Sequence, residues 1–204
     1  MKTINLFPKV IGIFNLERNL NEQELSKINL ILQVLIKNTE NSISKNKNVL
    51  DDSDFDELKK FIDKSIKQYL NEVYCEQTEL QITESWLNKT KNGESHHYHC
   101  HPNSYISGVF YIKTTDEDKI MFHNLDPRIN YYQPIINSWN IENSQSWWLP
   151  TPQNSLFLFR SDLYHSVPKT STDERISLSF NTFIINDFGN PQSATFLPLS
   201  KQQN

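Results

Sequence analysis

Residues 96–112 read HHYHCHPNSYISGVFYI, and four of the chain's six histidines, His96, His97, His99 and His101, crowd into its first six positions. Neutral imidazole is the commonest metal ligand among side chains. On an extended strand successive side chains alternate, so His97, His99 and His101 are expected on one face and His96, Tyr98 and Cys100 on the other. Pro102, which has no N–H to donate, interrupts the ladder. Two imidazoles at i and i+2 can grip one divalent ion if another part of the fold completes the set. Downstream only His123 and His165 remain. His123 lies in the short segment KIMFHN, whereas His165 follows the apolar run SLFLFRSDLYH at a point where the chain is expected to leave its sheet. His165 is therefore the better-placed partner. A histidine cluster on a solvated surface would look the same in one dimension, so a second constellation is needed.

Arg175 provides it. Ten residues after His165 it begins an alternating strand in which Arg175, Ser177, Ser179 and Asn181 face one way and Ile176, Leu178 and Phe180 the other. If the apolar row packs outward against helices, the polar row lines an interior pocket. A planar guanidinium with a hydroxyl two residues away suits a carboxylate, which the fork binds through two hydrogen bonds and the hydroxyl through a third.

Elements must hold these groups in register. NEQELSKINLILQVLIK, residues 21–37, has helical apolar spacing behind an Asn21 cap. DDSDFDELKKFIDKSIKQYLNEVY sets Phe55, Leu58, Phe61, Ile62, Ile66 and Leu70 on one face of a second helix. The polar, turn-rich NTENSISKNKNV separates them, and the segment before Asn21 reads as an opening strand. Beyond Cys75 the period becomes two, in ELQITESWL, SYISGVFYI, KIMFHN, SLFLF and ERISLSFNTFII. Helices first and strands later predict an α+β fold with an antiparallel core. The expected organisation is a single domain, with 1–75 as mainly helical support, 76–190 as the core and 191–204 as a tail. Residues 125–154 carry four prolines and five aromatics with little periodicity. A long irregular insertion of this kind often carries function.

Charge and composition exclude several classes. A net charge of -4 gives no global attraction to nucleic acid or to an anionic membrane. No stretch approaches the ~18 to 20 apolar residues of a membrane span, and Pro8 and Lys9 interrupt any signal-peptide core. Cys75 and Cys100, without metal-ligand or redox spacing, fit a reducing cytoplasm.

HCHPNSYISGVFYI, DPR and HSVPKTSTDERISLSFN, taken together and in this order over roughly residues 80–185, resemble the iron(II)/2-oxoglutarate-dependent dioxygenase superfamily. More narrowly, they are similar to a bacterial and phage branch of oxygenases related to prolyl hydroxylases. The resemblance implies a double-stranded β-helix, or jelly-roll, core with the N-terminal helices packed outside. It implies Fe(II), 2-oxoglutarate as cosubstrate and O2, with hydroxylation of a peptide side chain or small molecule and release of succinate and CO2. By position, His99 corresponds to the first metal ligand, His165 to the distal one, Arg175 to the cosubstrate anchor with Ser177 assisting, and Tyr111 to a tyrosine against the cosubstrate. Where the pattern expects a carboxylate two residues after the first histidine, this chain has His101. Three readings stay open: His101 coordinates and completes an all-histidine triad, it leaves a position open, or the site has lost catalysis. Coordination is favoured here, with His97 as a replacement ligand. Three neutral imidazoles would leave the metal more electrophilic than two imidazoles and a carboxylate.

The resemblance also gives the insertion, with Trp139, Trp147 and Trp148, the part of a lid or substrate wall, and Arg128 that of a substrate contact. Two rivals come from other classes. A non-catalytic jelly-roll binding module would keep the pocket without turnover, and the missing carboxylate supports it. A zinc hydrolase with a histidine-rich site would need a base beside the metal, and no HExxH-type element is present.

Overall fold

The computed structural model describes residues 1–76, 78–126 and 134–199. Arg128 and the first part of the insertion's aromatic run lie outside the described residues. Among these residues the strands form two antiparallel sheets. The larger joins seven strands: β1 (Gly12–Asn15), β2 (Leu35–Lys37), β3 (Ser42–Ser44), β4 (Leu80–Lys91), β6 (Ile106–Lys113), β9 (Ser155–Arg160) and β11 (Glu174–Ile184). Their order across the sheet is β1-β9-β6-β11-β4-β3-β2. The smaller joins β5 (His96–His99), β10 (His165–Val167), β7 (Lys119–His123) and β8 (Ser146–Pro150), in the order β5-β10-β7-β8.

Period-two patterning sorts the side chains of the larger sheet between two cores. Phe110, Leu156, Leu158, Ile176, Leu178 and Phe180 join one buried cluster with Leu58, Ile62 and Ile66 of helix α2 (Asp56–Tyr69). Their neighbours Tyr111, Phe157 and Phe159 point the other way and pack with Ile120 and Phe122 of β7 and with Leu163. A strand buried on both faces loses the polar alternation of an open sheet. Here β11 keeps it because Arg175, Ser177 and Ser179, all buried, face a cavity between the sheets.

Helix α1 (Glu22–Ile31) begins at the expected cap: the Asn21 side chain accepts from the Glu24 amide and the Glu24 carboxylate accepts from the Asn21 amide, each at 2.8 Å. It ends six residues before the predicted Lys37, because Leu35–Lys37 pair with Ser42–Ser44 as a hairpin at the sheet edge. Leu25, Leu30 and Val34 consequently stay exposed. The turn-rich segment after α1 is thus partly strand. The second helix follows expectation, preceded by two short 3₁₀ turns and continued by a π-turn at Leu70–Tyr74. The insertion is less irregular than its composition suggests, since Ser146–Pro150 form β8 in register with β7.

Candidate active site

A cavity between the sheets collects side chains from both. From the smaller sheet come His99, at the end of β5, and His165, which opens β10 and is its register partner. His101 lies just past β5, where its amide donates to the Ser161 carbonyl at 2.9 Å. One ligand atom from each of His99, His101 and His165 falls within 4.8 Å of the others. The Nε2 atoms of His101 and His165 are 3.3 Å apart. An ion bound at about 2.1 Å by two imidazoles at right angles separates their nitrogens by about 3 Å, so this spacing suits a shared metal.

Backbone carbonyls fix two of the tautomers. His99 Nδ1 donates to the His97 carbonyl at 2.7 Å and His165 Nδ1 to the Leu163 carbonyl at 2.9 Å. Each ring therefore carries its proton on Nδ1 and keeps its Nε2 lone pair for a ligand. Burial, reinforced by the neighbouring His99, pushes His101 down to about 4 and holds His165 well below the ordinary imidazole range. Neutral imidazoles are the ligating form, so the cluster is ready for metal at neutral pH without losing protons.

The larger sheet supplies the opposite wall. Arg175 is 3% exposed and its Nε has no hydrogen-bond partner; its guanidinium lies over the Tyr111 ring, 5.3 Å from the centroid. The Tyr111 hydroxyl is likewise buried and unpartnered, and burial raises its pKa. Ser177 pairs in register with Tyr111 and lines the same cavity. Buried donors left without partners are costly unless something else satisfies them. Both belong to side chains that line a cavity facing the histidines. That is the arrangement an anionic chelator of a histidine-bound metal would complete, so the residues present fit both a metal and a carboxylate ligand.

The strict alternation expected for residues 96–101 does not hold. His96, not His97, lines the cavity with His99 and His101, and its ring stacks on His99 at 4.5 Å. The cause is a register shift: His165 pairs with His99, but Val167 pairs with His96. His97 does form a second group with His96 and His99. Because His99 has one free lone pair, that group and the triad with His165 compete for a single ion. His123 turns aside and bonds Ser166 through Nε2 at 2.9 Å. Trp147 and Trp148 are partly exposed on β8 and Trp139 is exposed, and none of them lines the cavity. Trp86 and Asn88 also line it although nothing singled them out beforehand. For Trp86 and Asn88 the available signal was their shared face on an alternating strand that pairs with β11.

Residues 84–181 match the model of the family described as "Putative 2OG-Fe(II) oxygenase". This segment resembles that family. Its span runs from β4 to β11 and includes all six residues of the cavity that sequence had assigned to metal or cosubstrate. Several solved structures share the fold at low sequence identity. SnoN, the non-heme alpha ketoglutarate dependent epimerase from nogalamycin biosynthesis, superposes with a TM-score of 0.64 at 10% identity, over 91% of this chain and 81% of its own. A prolyl hydroxylase in complex with a hypoxia inducible factor peptide fragment, from Trichoplax adhaerens, gives 0.57 at 13%, over 85% and 83%. HygX from Streptomyces hygroscopicus, solved with nickel, 2-oxoglutarate and hygromycin B bound, gives 0.55 at 10%, over 85% and 82%. Among curated proteins none matches this sequence. No helix among the described residues is long and apolar enough to cross a membrane.

Proposed function

We propose that this chain is an Fe(II)- and 2-oxoglutarate-dependent oxygenase on a jelly-roll core, hydroxylating a peptide side chain or a small molecule with release of succinate and CO2. In this reading the chain is one domain, with residues 1–75 supporting the outer face of the larger sheet, and it works in the cytoplasm, where Cys75 and Cys100 stay free thiols. The observation that carries it is the pairing, across one cavity, of three convergent imidazoles with a buried Arg175 whose Nε makes no hydrogen bond.

His99, His101 and His165 would hold the metal. Iron bound there with 2-oxoglutarate and O2 would supply the oxidising chemistry, which no amino-acid side chain provides. The rest is the work of side chains. The carbonyls of His97 and Leu163 orient two of the rings before any metal arrives. Arg175 and Ser177 would take the far carboxylate of the cosubstrate, and the Tyr111 hydroxyl would donate to it. Apolar neighbours, including Ile120, Phe159 and Val167, limit water around the ligands. Among the described residues no aspartate or glutamate lines the cavity, so a hydrolase base is missing from the wall. A binding module without turnover is favoured by one feature, His101 at the place where the resemblance expects a carboxylate. Succinate formation decides between the two: the oxygenase releases it from 2-oxoglutarate only with Fe(II) and O2, and His165→Ala does not.

A further inference from the structure

Asp118 sits immediately before β7, 3% exposed, with its carboxylate beside Arg175. Its Oδ1 lies 4.0 Å from Arg175 Nε, too far for a hydrogen bond but close for two buried opposite charges. The carboxylate is itself held on three sides. Thr170 Oγ1 donates to Oδ1 at 2.8 Å, and Thr115 donates to Oδ2 through its amide at 2.9 Å and its hydroxyl at 3.4 Å. Every hydrogen bond that fixes Asp118 therefore comes from a threonine, and none consumes a donor of Arg175. The guanidinium is drawn by charge from one side and supported by the Tyr111 ring.

We propose that Asp118 is a positioning residue for Arg175, keeping its fork buried and aligned for the far carboxylate of a dicarboxylate ligand. This rests on the cosubstrate role given to Arg175 above. Without the Asp118 charge, a buried guanidinium facing only an aromatic ring is pulled towards water, and its donors leave the line of the ligand. The effect is confined to ligands with a far carboxylate, because Asp118 does not line the cavity and reaches the ligand only through Arg175.

The test compares two 2-oxo acids on the Fe(II)-loaded protein without oxygen: 2-oxoglutarate, and 2-oxovalerate, in which a methyl group replaces the far carboxylate. Asp118→Asn keeps the shape and can still accept from Thr115 and bond Thr170. It should lower 2-oxoglutarate affinity about ten- to a hundred-fold, the usual scale for a partner acting from outside the contact shell. Affinity for 2-oxovalerate should stay within about two-fold, since that acid makes no use of the fork. In an Arg175→Ala background the same substitution should add no further loss, because the two act as one unit. Should Asp118→Asn melt early, Asp118→Ser carries the same comparison with less bulk. Equal loss for both acids, unchanged affinity for 2-oxoglutarate, or an additive loss in the Arg175→Ala background each overturns the role. A wild-type protein that binds Fe(II) but neither acid overturns the oxygenase reading as well.

Discussion

The imidazoles of His101 and His165 lie nearly parallel, 10° apart in plane, with their Nε2 atoms facing each other at 3.3 Å. With His165 protonated on Nδ1, its Nε2 is an acceptor, so in the metal-free protein His101 must turn an N–H towards it. With its single proton on Nδ1 instead, a neutral His101 would offer its Nε2 lone pair beside that of His165, without net loss of a proton. His101 is thereby placed to coordinate, although it occupies the position where a carboxylate was expected.

Replacing either His99 or His165 with alanine should abolish Fe(II) binding while the fold persists. Calorimetric titration of Fe(II), alongside a thermal melt, checks this. Unchanged metal affinity in both variants would exclude the triad, and full retention only in His99→Ala would shift the ligand set away from β5.

His101→Asp restores the carboxylate that the family pattern expects at this point. The variant should still bind iron and release succinate at a rate equal to or above that of the wild type. Loss of metal in His101→Asp would mean that a carboxylate cannot take the place of this imidazole and would contradict the expected equivalence.

Arg175→Ala should leave iron affinity nearly unchanged and weaken 2-oxoglutarate binding by roughly 30-fold to several thousand-fold, the equivalent of ~2 to 5 kcal/mol for a buried bidentate partner. Arg175→Lys should recover part of this, because an ammonium restores charge without the fork. Equal cosubstrate affinity in all three proteins would make Arg175 structural.

Acid should weaken the metal-free fold before the carboxylates titrate. Burial holds His101 at about 4, against 6.5 for an ordinary imidazole, so between these values the unfolded chain binds a proton that the folded chain refuses. His165 is shifted in the same direction. Stability therefore rises with pH across this window and is lost as pH falls from 6.5 towards 4. Denaturant melts in chelator between pH ~6.5 and ~5, above the ordinary carboxylate range, should show a falling midpoint. A flat profile there would mean that the imidazoles are already solvated.

Gly108 ties the cavity to the outer core, since a Cβ at this position would run into the ring of Phe180, its register partner on β11. Gly108→Ala should cost about 1–3 kcal/mol as overpacking, read from urea midpoints. A cost near zero would show that Phe180 has room to swing away.

How much of this was visible beforehand depended on the range of each contact. The alternation in β11 put Arg175, Ser177 and Ser179 on one shared face because a strand's two faces follow from spacing alone, and packing of the apolar row on α2 turns that face to the cavity. The same rule failed for His96 and His97, because the shift between His165 and Val167 is a property of pairing with another strand. The α1 boundary was missed for a related reason: Leu35–Lys37 continue a helical pattern but gain a strand partner in Ser42–Ser44. Asp118 carried no signal at all, since its meaning lies in Arg175, Thr170 and Thr115, which only the folded chain assembles.

The most direct measurement is an anaerobic titration of Fe(II) and 2-oxoglutarate into the wild-type protein, followed by its visible absorbance, with His165→Ala alongside. The expected result is a metal-to-ligand charge-transfer band that appears only when iron and 2-oxoglutarate are both present and is absent from the variant, because chelation requires the triad and the cosubstrate together. Iron binding with no such band on addition of 2-oxoglutarate, or an equal band in His165→Ala, would contradict an oxygenase site built on His99, His101 and His165.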